Sequence, residues 1–392
     1  MKRVKHATKW VAAAAASMVL LAACGAGASG ASNGTGAEAP ANGGGGGNRF
    51  SINVEAGQVL AVGPHGEEAV SATTLELTEE EREQIRNMNL RAAIAFHYSG
   101  DDWSRAQEAG MRAAFEELGI EVVGVTDAGF SVEQQVADVE NLKAMGLDIL
   151  ISIPVDPVAT SDVFQRAAND GLTIVFMDNV PAGLVPGEDY VSVVSADNYG
   201  NGVVAAQIMC QALEGEGEIG IVYHAADFFV TNQRAEAFEN EIVENCPGVE
   251  IVDRGGFDDP NLVSEVADAM LTRNPNIDGI FGNWDIPAEH IAASAISAGR
   301  SDLVVTTVDL GHNVARMIAE RGVVAGLGAQ LPFDQGRAQV MLAAYGLLGK
   351  EAPPFVAVPA QPVWFDNLLE AYELVYHEPA PQWLVDLWNE NQ

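Results

Sequence analysis

From residue 92 onward, for more than 200 residues, the chain alternates apolar runs of four to seven residues with segments that are apolar at helical spacing. Parallel strands buried on both faces read as continuous apolar runs, and each needs a crossover helix to reach the next, so this alternation predicts an α/β fold. Strands are predicted at 92–97, 121–126, 149–153, 173–177, 191–194, 218–223, 250–253, 279–282 and 303–308, with helices between them. Helical segments at 103–118 and 132–145 run into Gly119 and Gly146, the residue type that most easily closes a helix. The strands fall into two rounds, roughly 90–195 and 197–310, each of about 110 residues. Two rounds of that size predict two similar doubly wound parallel-sheet lobes joined by a hinge, with any ligand between them.

The remainder of the chain has a different texture. Lys2, Arg3, Lys5 and Lys9 precede an apolar stretch, 10–23, that is too short to span a bilayer comfortably and has the form of an export signal. That stretch ends in Leu21-Ala22-Ala23-Cys24, which resembles the lipobox of bacterial lipoproteins. The resemblance implies cleavage of residues 1–23 and acylation of Cys24, so that the protein is extracytoplasmic and held to the cell membrane by a lipid anchor. Removing those 23 residues and their four positive charges leaves 369 residues and takes the net charge from −35 to about −39. Residues 24–48 are almost entirely Gly, Ala, Ser, Asn and Thr and predict a flexible tether. Residues 49–89 fit neither round and are read as an extension, with a capped surface helix over 77–88. Beyond residue 330 come a helix over 335–348, a Pro-rich extended stretch and a tail with Trp364, Trp383 and Trp388, read as packing residues. The lobes are therefore expected at 90–195 plus 331–357 and at 196–330 plus 358–392.

Charge and cysteine usage narrow the partners. With 20 Lys and Arg against 55 Asp and Glu, the chain repels phosphate backbones, so no nucleic acid is expected. Cys210 and Cys246 lie in a chain bound for export, where pairing is allowed; the sequence leaves it open. His97, His224 and His312 lie near strand ends without metal-ligand spacing, and no metal or cofactor is expected.

In open parallel sheets ligands bind beyond the carboxyl ends of the strands. The residues there are unusually polar: Tyr98, Asp101, Asp102 and Trp103 after the first strand, Asp178-Asn179 after the run at 174–177, Asn283-Trp284-Asp285 after Phe281, and Asp309 after the run at 304–308. Each has a structural reading too: Asp101 or Asp102 as a helix cap, Asp178 and Asp309 as turn residues, Asp285 as a cap beside Pro287, Trp103 and Trp284 as lobe-core packing, Arg234 as a surface residue near Glu236. Their recurrence at one edge in both rounds favours a site. Carboxylates, amides and a guanidinium suit vicinal hydroxyls, and aromatic faces suit the C–H side of a sugar ring.

At this point the chain resembles, over about 90–360, the periplasmic sugar-binding proteins of the ribose-binding type, solute receptors of ABC importers and relatives of the LacI-type repressor core. The resemblance is carried by Tyr98-Ser99-Gly100-Asp101-Asp102-Trp103, Val175-Phe176-Met177-Asp178-Asn179, Ser195-Ala196-Asp197-Asn198-Tyr199-Gly200, Asn232-Gln233-Arg234-Ala235-Glu236-Ala237-Phe238, Phe281-Gly282-Asn283-Trp284-Asp285 and Ala329-Gln330-Leu331-Pro332. It implies a type I periplasmic binding protein fold. It also implies ligand-binding roles for Asp101 and Trp103 in the first loop, Asp178 on sugar hydroxyls, Arg234 as the ligand arginine, Phe257 as an aromatic of the second lobe, Asp309 as a second hydroxyl-binding aspartate, and Gln330 on the hinge side; Asp102, Asn179, Trp284 and Asp285, at the same strand ends, complete the candidate ligand-binding set. The family pattern has Asp-Arg where Asp178-Asn179 stands, and Asn-Asp where Trp284-Asp285 stands. These departures point away from ribose, towards a polyol, another pentose or a ligand bearing positive charge.

The expected protein is monomeric, no enzyme, and captures a sugar or polyol for an ABC permease and its ATPase. The alternatives are a sensor that presents ligand to a signalling receptor and a carbohydrate-active enzyme. The sequence has no Gly-x-Ser-x-Gly elbow, no His-Glu-x-x-His and no phosphate loop; Gly200-Asn201-Gly202 and Gly326-Leu327-Gly328 lack a third glycine. Hinge crossings are expected near Ser195-Ala196, at Gln330-Leu331 and around Val358, in a clamshell whose closed form ligand favours.

Overall fold

The computed structural model describes residues 50–226 and 228–392. In chain order the first part contains β1 (Val70–Ser71), α1 (Glu79–Arg86), β2 (Arg91–Phe96), α2 (Asp102–Glu117), β3 (Glu121–Asp127), α3 (Val132–Ala144), β4 (Ile149–Ser152), α4 (Ser161–Asn169), β5 (Thr173–Met177) and β6 (Ser192–Ala196). The second contains α5 (Asn198–Ala212), β7 (Gly217–His224), α6 (Phe229–Asn245), β8 (Val249–Phe257), α7 (Val263–Arg273), β9 (Gly279–Gly282), α8 (Asp285–Ser297), β10 (Val304–Val308), α9 (His312–Ala319) and β11 (Val324–Ala329). The chain ends with α10 (Pro332–Leu348), β12 (Phe355–Val358), β13 (Gln361–Trp364), α11 (Leu368–Tyr376) and α12 (Gln382–Glu390).

Two sheets result. One has seven strands in the order β1-β12-β6-β5-β4-β2-β3, every neighbouring pair parallel. The other has six, β13-β11-β10-β9-β7-β8, parallel except for β13 at its edge. The predicted α/β architecture of two parallel-sheet lobes is borne out, because runs such as 92–96 and 149–151 are buried on both faces. α2 and α3 give way to Gly119 and Gly146 with φ of +65° and +73°, the left-handed turn that glycine adopts without strain. The chain passes between sheets three times: from β6 into α5, from β11 into α10, and from β12 to β13.

Four strands escape the sequence reading. β11 carries Gly326 and Gly328, which blur its apolar run; they are there for close packing, since a Cβ on Gly328 would stand 2.4 Å from the Asn201 carbonyl oxygen of α5. Gly202 does the same between α5 and α6, where a Cβ would lie 2.4 Å from the Arg234 oxygen. These glycines seat helices on strands and on each other. The Pro-rich stretch resolves into β12, which lies inside the first sheet, and β13. β1 lies in the extension.

The extension is built into both lobes. Phe50 is buried with Val204 and Ile208 of α5 and Trp364, while the Ser51 and Asn53 N–H groups donate to Gln211 and Gln207. Leu60 and Ala61 then donate to the two carboxylate oxygens of Asp197, at 2.8 and 2.9 Å, at the first crossing. Asp197 is fully buried and also caps α5 through the Gly200 N–H. The segment goes on to pair β1 with β12, and Thr78 with Glu81 forms a capping box at α1. In the second lobe Cys210 and Cys246 are joined by a disulfide that ties α5 to the end of α6. Among the tail aromatics Trp364 packs on Phe50 and Trp388 on Phe365, whereas Trp383 is exposed.

Candidate functional site

The carboxyl ends of the strands of both sheets bring the polar residues to one place. Asp178 directly follows β5 and Asp309 directly follows β10, inner strands of their respective sheets. Both have left-handed backbone, φ +53° and +73°, a conformation that costs a non-glycine residue roughly 1–3 kcal/mol and that aspartate tolerates better than most. The same unfavourable geometry at the same structural position in two lobes aims both carboxylates off the strand ends.

A continuous hydrogen-bonded chain links the two. Ser195 Oγ donates to Asp178 Oδ1 at 2.7 Å, and Asn198 Nδ2 donates to Ser195 Oγ at 2.8 Å. Arg234 Nε donates to Asn198 Oδ1 at 2.8 Å, and its Nη1 lies 3.3 Å from Asp309 Oδ2 and 3.4 Å from the Asn283 carbonyl oxygen. Arg234 is 5% exposed, so it is no surface arginine. Gln330, at the second crossing, accepts from Trp103 Nε1 at 3.2 Å and from Gln335 at 2.9 Å. Gln335 in turn accepts from Gln107, and Gln107 from Gln339, so an amide chain runs from the site between α2 and α10.

Beside this chain lies a cavity of about 20 Å³, room for roughly one water, walled among others by Asp102, Trp103, Asp285, Asp309, Gln330 and Tyr376. Small-molecule sites usually span roughly 300–1,000 Å³, so this cavity by itself has no room for a sugar, and the polar groups around it pair with each other. A latch closes the rim: the His312 N–H at the start of α9 donates to Asp102 Oδ2 at 3.0 Å, and His312 Nδ1 lies 2.5 Å from the same oxygen. Tyr372 Oη meets His312 Nε2 at 2.8 Å from behind.

Electrostatics follow from this burial. Desolvation pushes the Asp178 carboxyl up to about 6, against the Ser195 hydrogen bond and the Arg234 charge. Burial also raises Asp309, with Arg234 and Gln330 opposing, and raises Asp285 well above the usual carboxylate range, reinforced by Asp309. Asp102 is held low: burial works against its charge, and hydrogen bonds from His312 outweigh it.

Of the eleven residues singled out from the sequence, five wall the cavity: Asp102, Trp103, Asp285, Asp309 and Gln330. Asp178 and Arg234 join them through the hydrogen-bonded chain. Asn179 is 3% exposed, and its Nδ2 has no partner. Asp101 caps α2 through the Ser104 N–H at 2.8 Å, so its structural reading is realised. Phe257 and Trp284 pack on each other, ring centroids 5.2 Å apart, with His224 against both; neither reaches the cavity wall. His97 is partly buried, edge-on to Trp103, and desolvation of its ring holds it down to about 4. Among the described residues no three His, Cys, Asp or Glu side chains converge to hold a metal ion, and no helix is long and apolar enough to cross a membrane.

Sequence reasoning passed over Ser195, Asn198 and Asn283 as individual site residues, although all three stood in quoted segments. His312, noted near a strand end and read as a cleft-wall or satisfied polar residue, was not counted among the binding residues. Leu310, Gly311 and Tyr376 were not singled out as site residues; Tyr376 comes from the tail, where nothing in the local pattern announces a site.

The profile of the periplasmic binding protein domain matches residues 92–351, about two thirds of the chain. The chain belongs to the periplasmic binding protein family. Within that family it is similar to a putative rhizopine-binding protein of Rhizobium meliloti, 22% identical over 252 residues that cover 63% of this chain and 81% of that one. The ribose import binding protein of Bacillus subtilis is 25% identical over 251 residues, 64% and 79% of the two chains. In fold it matches an ABC transporter solute binding protein from Agrobacterium vitis bound with α-D-tagatopyranose, with a TM-score of 0.66, 22% identity and coverage of 74% of this chain and 100% of that one. A solute binding protein from Actinobacillus succinogenes with bound D-allose gives 0.64, 23%, 71% and 99%. The expected kinship with ribose-type binding proteins is thereby borne out.

Proposed function

We propose that this periplasmic binding protein is a lipid-anchored extracytoplasmic receptor that captures a sugar or polyol between its lobes and delivers it to an ABC import permease. The observation that carries the reading is the hydrogen-bonded chain from Asp178 through Ser195, Asn198 and Arg234 to Asp309, which joins strand ends of both lobes around one crevice. The names of the relatives, which include ribose import and allose-bound proteins, support the ligand class. Asp101, Asp102, Trp103, Asp178, Asn179, Arg234, Asp285, Asp309 and Gln330 are the residues proposed to hold the ligand, with Phe257 and Trp284 as a supporting aromatic wall. Residues 90–195 with 331–357 form one moving body and 196–330 with 358–392 the other.

Ligand entry exchanges partners. Opening parts His312 from Asp102 and Trp103 from Gln330, and ligand hydroxyls then take over the freed donors and acceptors as the lobes shut again. The closed form is the one a permease would dock, and the energy for transport belongs to its ATPase. The crevice binds without turnover. The test is titration of purified protein with pentoses, hexoses and polyols, read by tryptophan fluorescence, beside the Asp178→Ala and Asp309→Ala variants. Loss of binding in both variants with their melting transitions retained is expected; unchanged binding in either removes the site. Incorporation of labelled palmitate that disappears in Cys24→Ser tests the anchor.

A further inference from the structure

The carboxylates of the crevice outnumber its cations. Asp101, Asp178, Asp285 and Asp309 lie close enough there to act on one another, and Arg234 is the cation beside Asp178 and Asp309, already spent on Asn198, the Asn283 carbonyl and one oxygen of Asp309. Asp102 stands apart because His312 and Arg105 occupy it. Asp285 is the extreme case. Its Oδ1 takes the Ile286 N–H in the first turn of α8, and the charged groups that bear on it most strongly are Asp309, Glu289 and Asp101, all acidic. Asp309 Oδ1 is buried without a partner, as is Oδ1 of the fully buried Asn283, whose carbonyl meets Arg234.

A hydroxyl gives a carboxylate one hydrogen bond and leaves its charge in place. If a neutral guest filled the crevice, it would shut Asp285 and Asp309 together, with like charges drained of solvent, the arrangement that disfavours ionisation most. An ammonium supplies three donors and a full positive charge to the same spot. The raised proton affinity of both carboxyls expresses that demand: the pair takes a positive charge either from a proton or from a cationic guest.

We propose that the ligand is an amine-bearing polyhydroxylated molecule, an amino sugar or aminocyclitol, whose ammonium is held between Asp285 and Asp309 while its hydroxyls face Asp178, Gln330 and Arg234. This rests on the sugar or polyol reading of the crevice and sharpens it.

Matched pairs test it by calorimetry at neutral pH: D-glucosamine with D-glucose, 1-amino-1-deoxyribitol with ribitol, scyllo-inosamine with scyllo-inositol, and N-acetylglucosamine as the amine stripped of charge. The amine member of at least one pair should bind about tenfold tighter or better than its neutral partner. Asp285→Asn should shrink that ratio about tenfold. Asp101→Asn, which keeps the α2 cap because asparagine caps as well as aspartate, should shrink it less and serves if the first variant does not fold. Neutral members binding as tightly or tighter in every pair would overturn the amine and leave the sugar reading standing. An undiminished ratio in Asp285→Asn, or in Asp101→Asn should that variant stand alone, would overturn the assigned carboxylates. Failure of all members to bind at about 1 mM would overturn both readings.

Discussion

Replacing Asp178 with asparagine removes a charge that the folded protein pays to keep. In the unfolded chain its carboxyl has the ordinary value of 3.8; in the fold, burial lifts it to about 6. Between those pH values the native state holds a proton that the unfolded chain has already lost, so stability falls as pH rises through the window and the full loss is present above pH 6. At 1.36 kcal/mol per unit, the difference amounts to about 3 kcal/mol at pH 7. Asparagine retains an oxygen to accept from Ser195 Oγ at the same place, so the exchange strips the charge and little else. The ligand-free Asp178→Asn variant should therefore be more stable than the parent by about 1–3 kcal/mol at pH 7, while binding its guest more weakly. Urea unfolding at pH 4, 5, 6 and 7 reads this directly. The gap should be largest at neutral pH and close towards pH 4, where the parent carboxyl is protonated in the fold and half protonated when unfolded. A gap that is independent of pH, or a variant less stable than the parent at pH 7, would refute the claim that this carboxylate sits in a desolvated place.

Other outcomes follow from contacts away from the crevice. Asp197→Ala strands the N–H groups of Leu60, Ala61 and Gly200, and should cost about 3–5 kcal/mol in urea unfolding with faster amide exchange at Leu60 and Ala61; a loss below about 1 kcal/mol would show that the extension is not held there. The Cys210–Cys246 bridge closes a separation of 36 residues, which chain entropy values at up to about 4 kcal/mol, so a double serine variant should lose about 2–4 kcal/mol and an unchanged midpoint would contradict it.

What could be read before any coordinates were in hand depended on whether the signal was local. The inner strands 92–96, 149–152, 173–177 and 304–308 announce themselves because burial on both faces forces a run dominated by apolar and β-branched residues, with only small hydroxyl residues such as Ser152, Thr306 and Thr307 admitted. Asp178 and Asp309 were found by rule of position, at the carboxyl ends of such runs. Arg234 needed the family resemblance, since nothing in helical spacing distinguishes a buried arginine from an exposed one. β12 was invisible because its neighbours in the sheet, β1 and β6, lie far away in sequence and prolines crowd its approach. Tyr376 was invisible for a related reason, and so was the partner of His312, although its place near a strand end was legible: both act through contacts between the tail, α9 and α2, and pairing across such distances leaves no trace in local pattern.

The extension alters the kind of freedom the two halves have. A pair of bodies joined at a single point can roll, twist and bend about it. Here three chain passages are joined by a fourth tie, in which Phe50 grips one side, Leu60 and Ala61 seize the buried carboxylate at the pivot, and β1 is stitched into the far sheet. The Asp197 N–H meanwhile binds the Val358 oxygen, fastening the first passage to the third. If the halves move as proposed, being fixed along a line instead of at a spot leaves them the swing of a door on several pins, and twisting of one half against the other is the motion this architecture gives up.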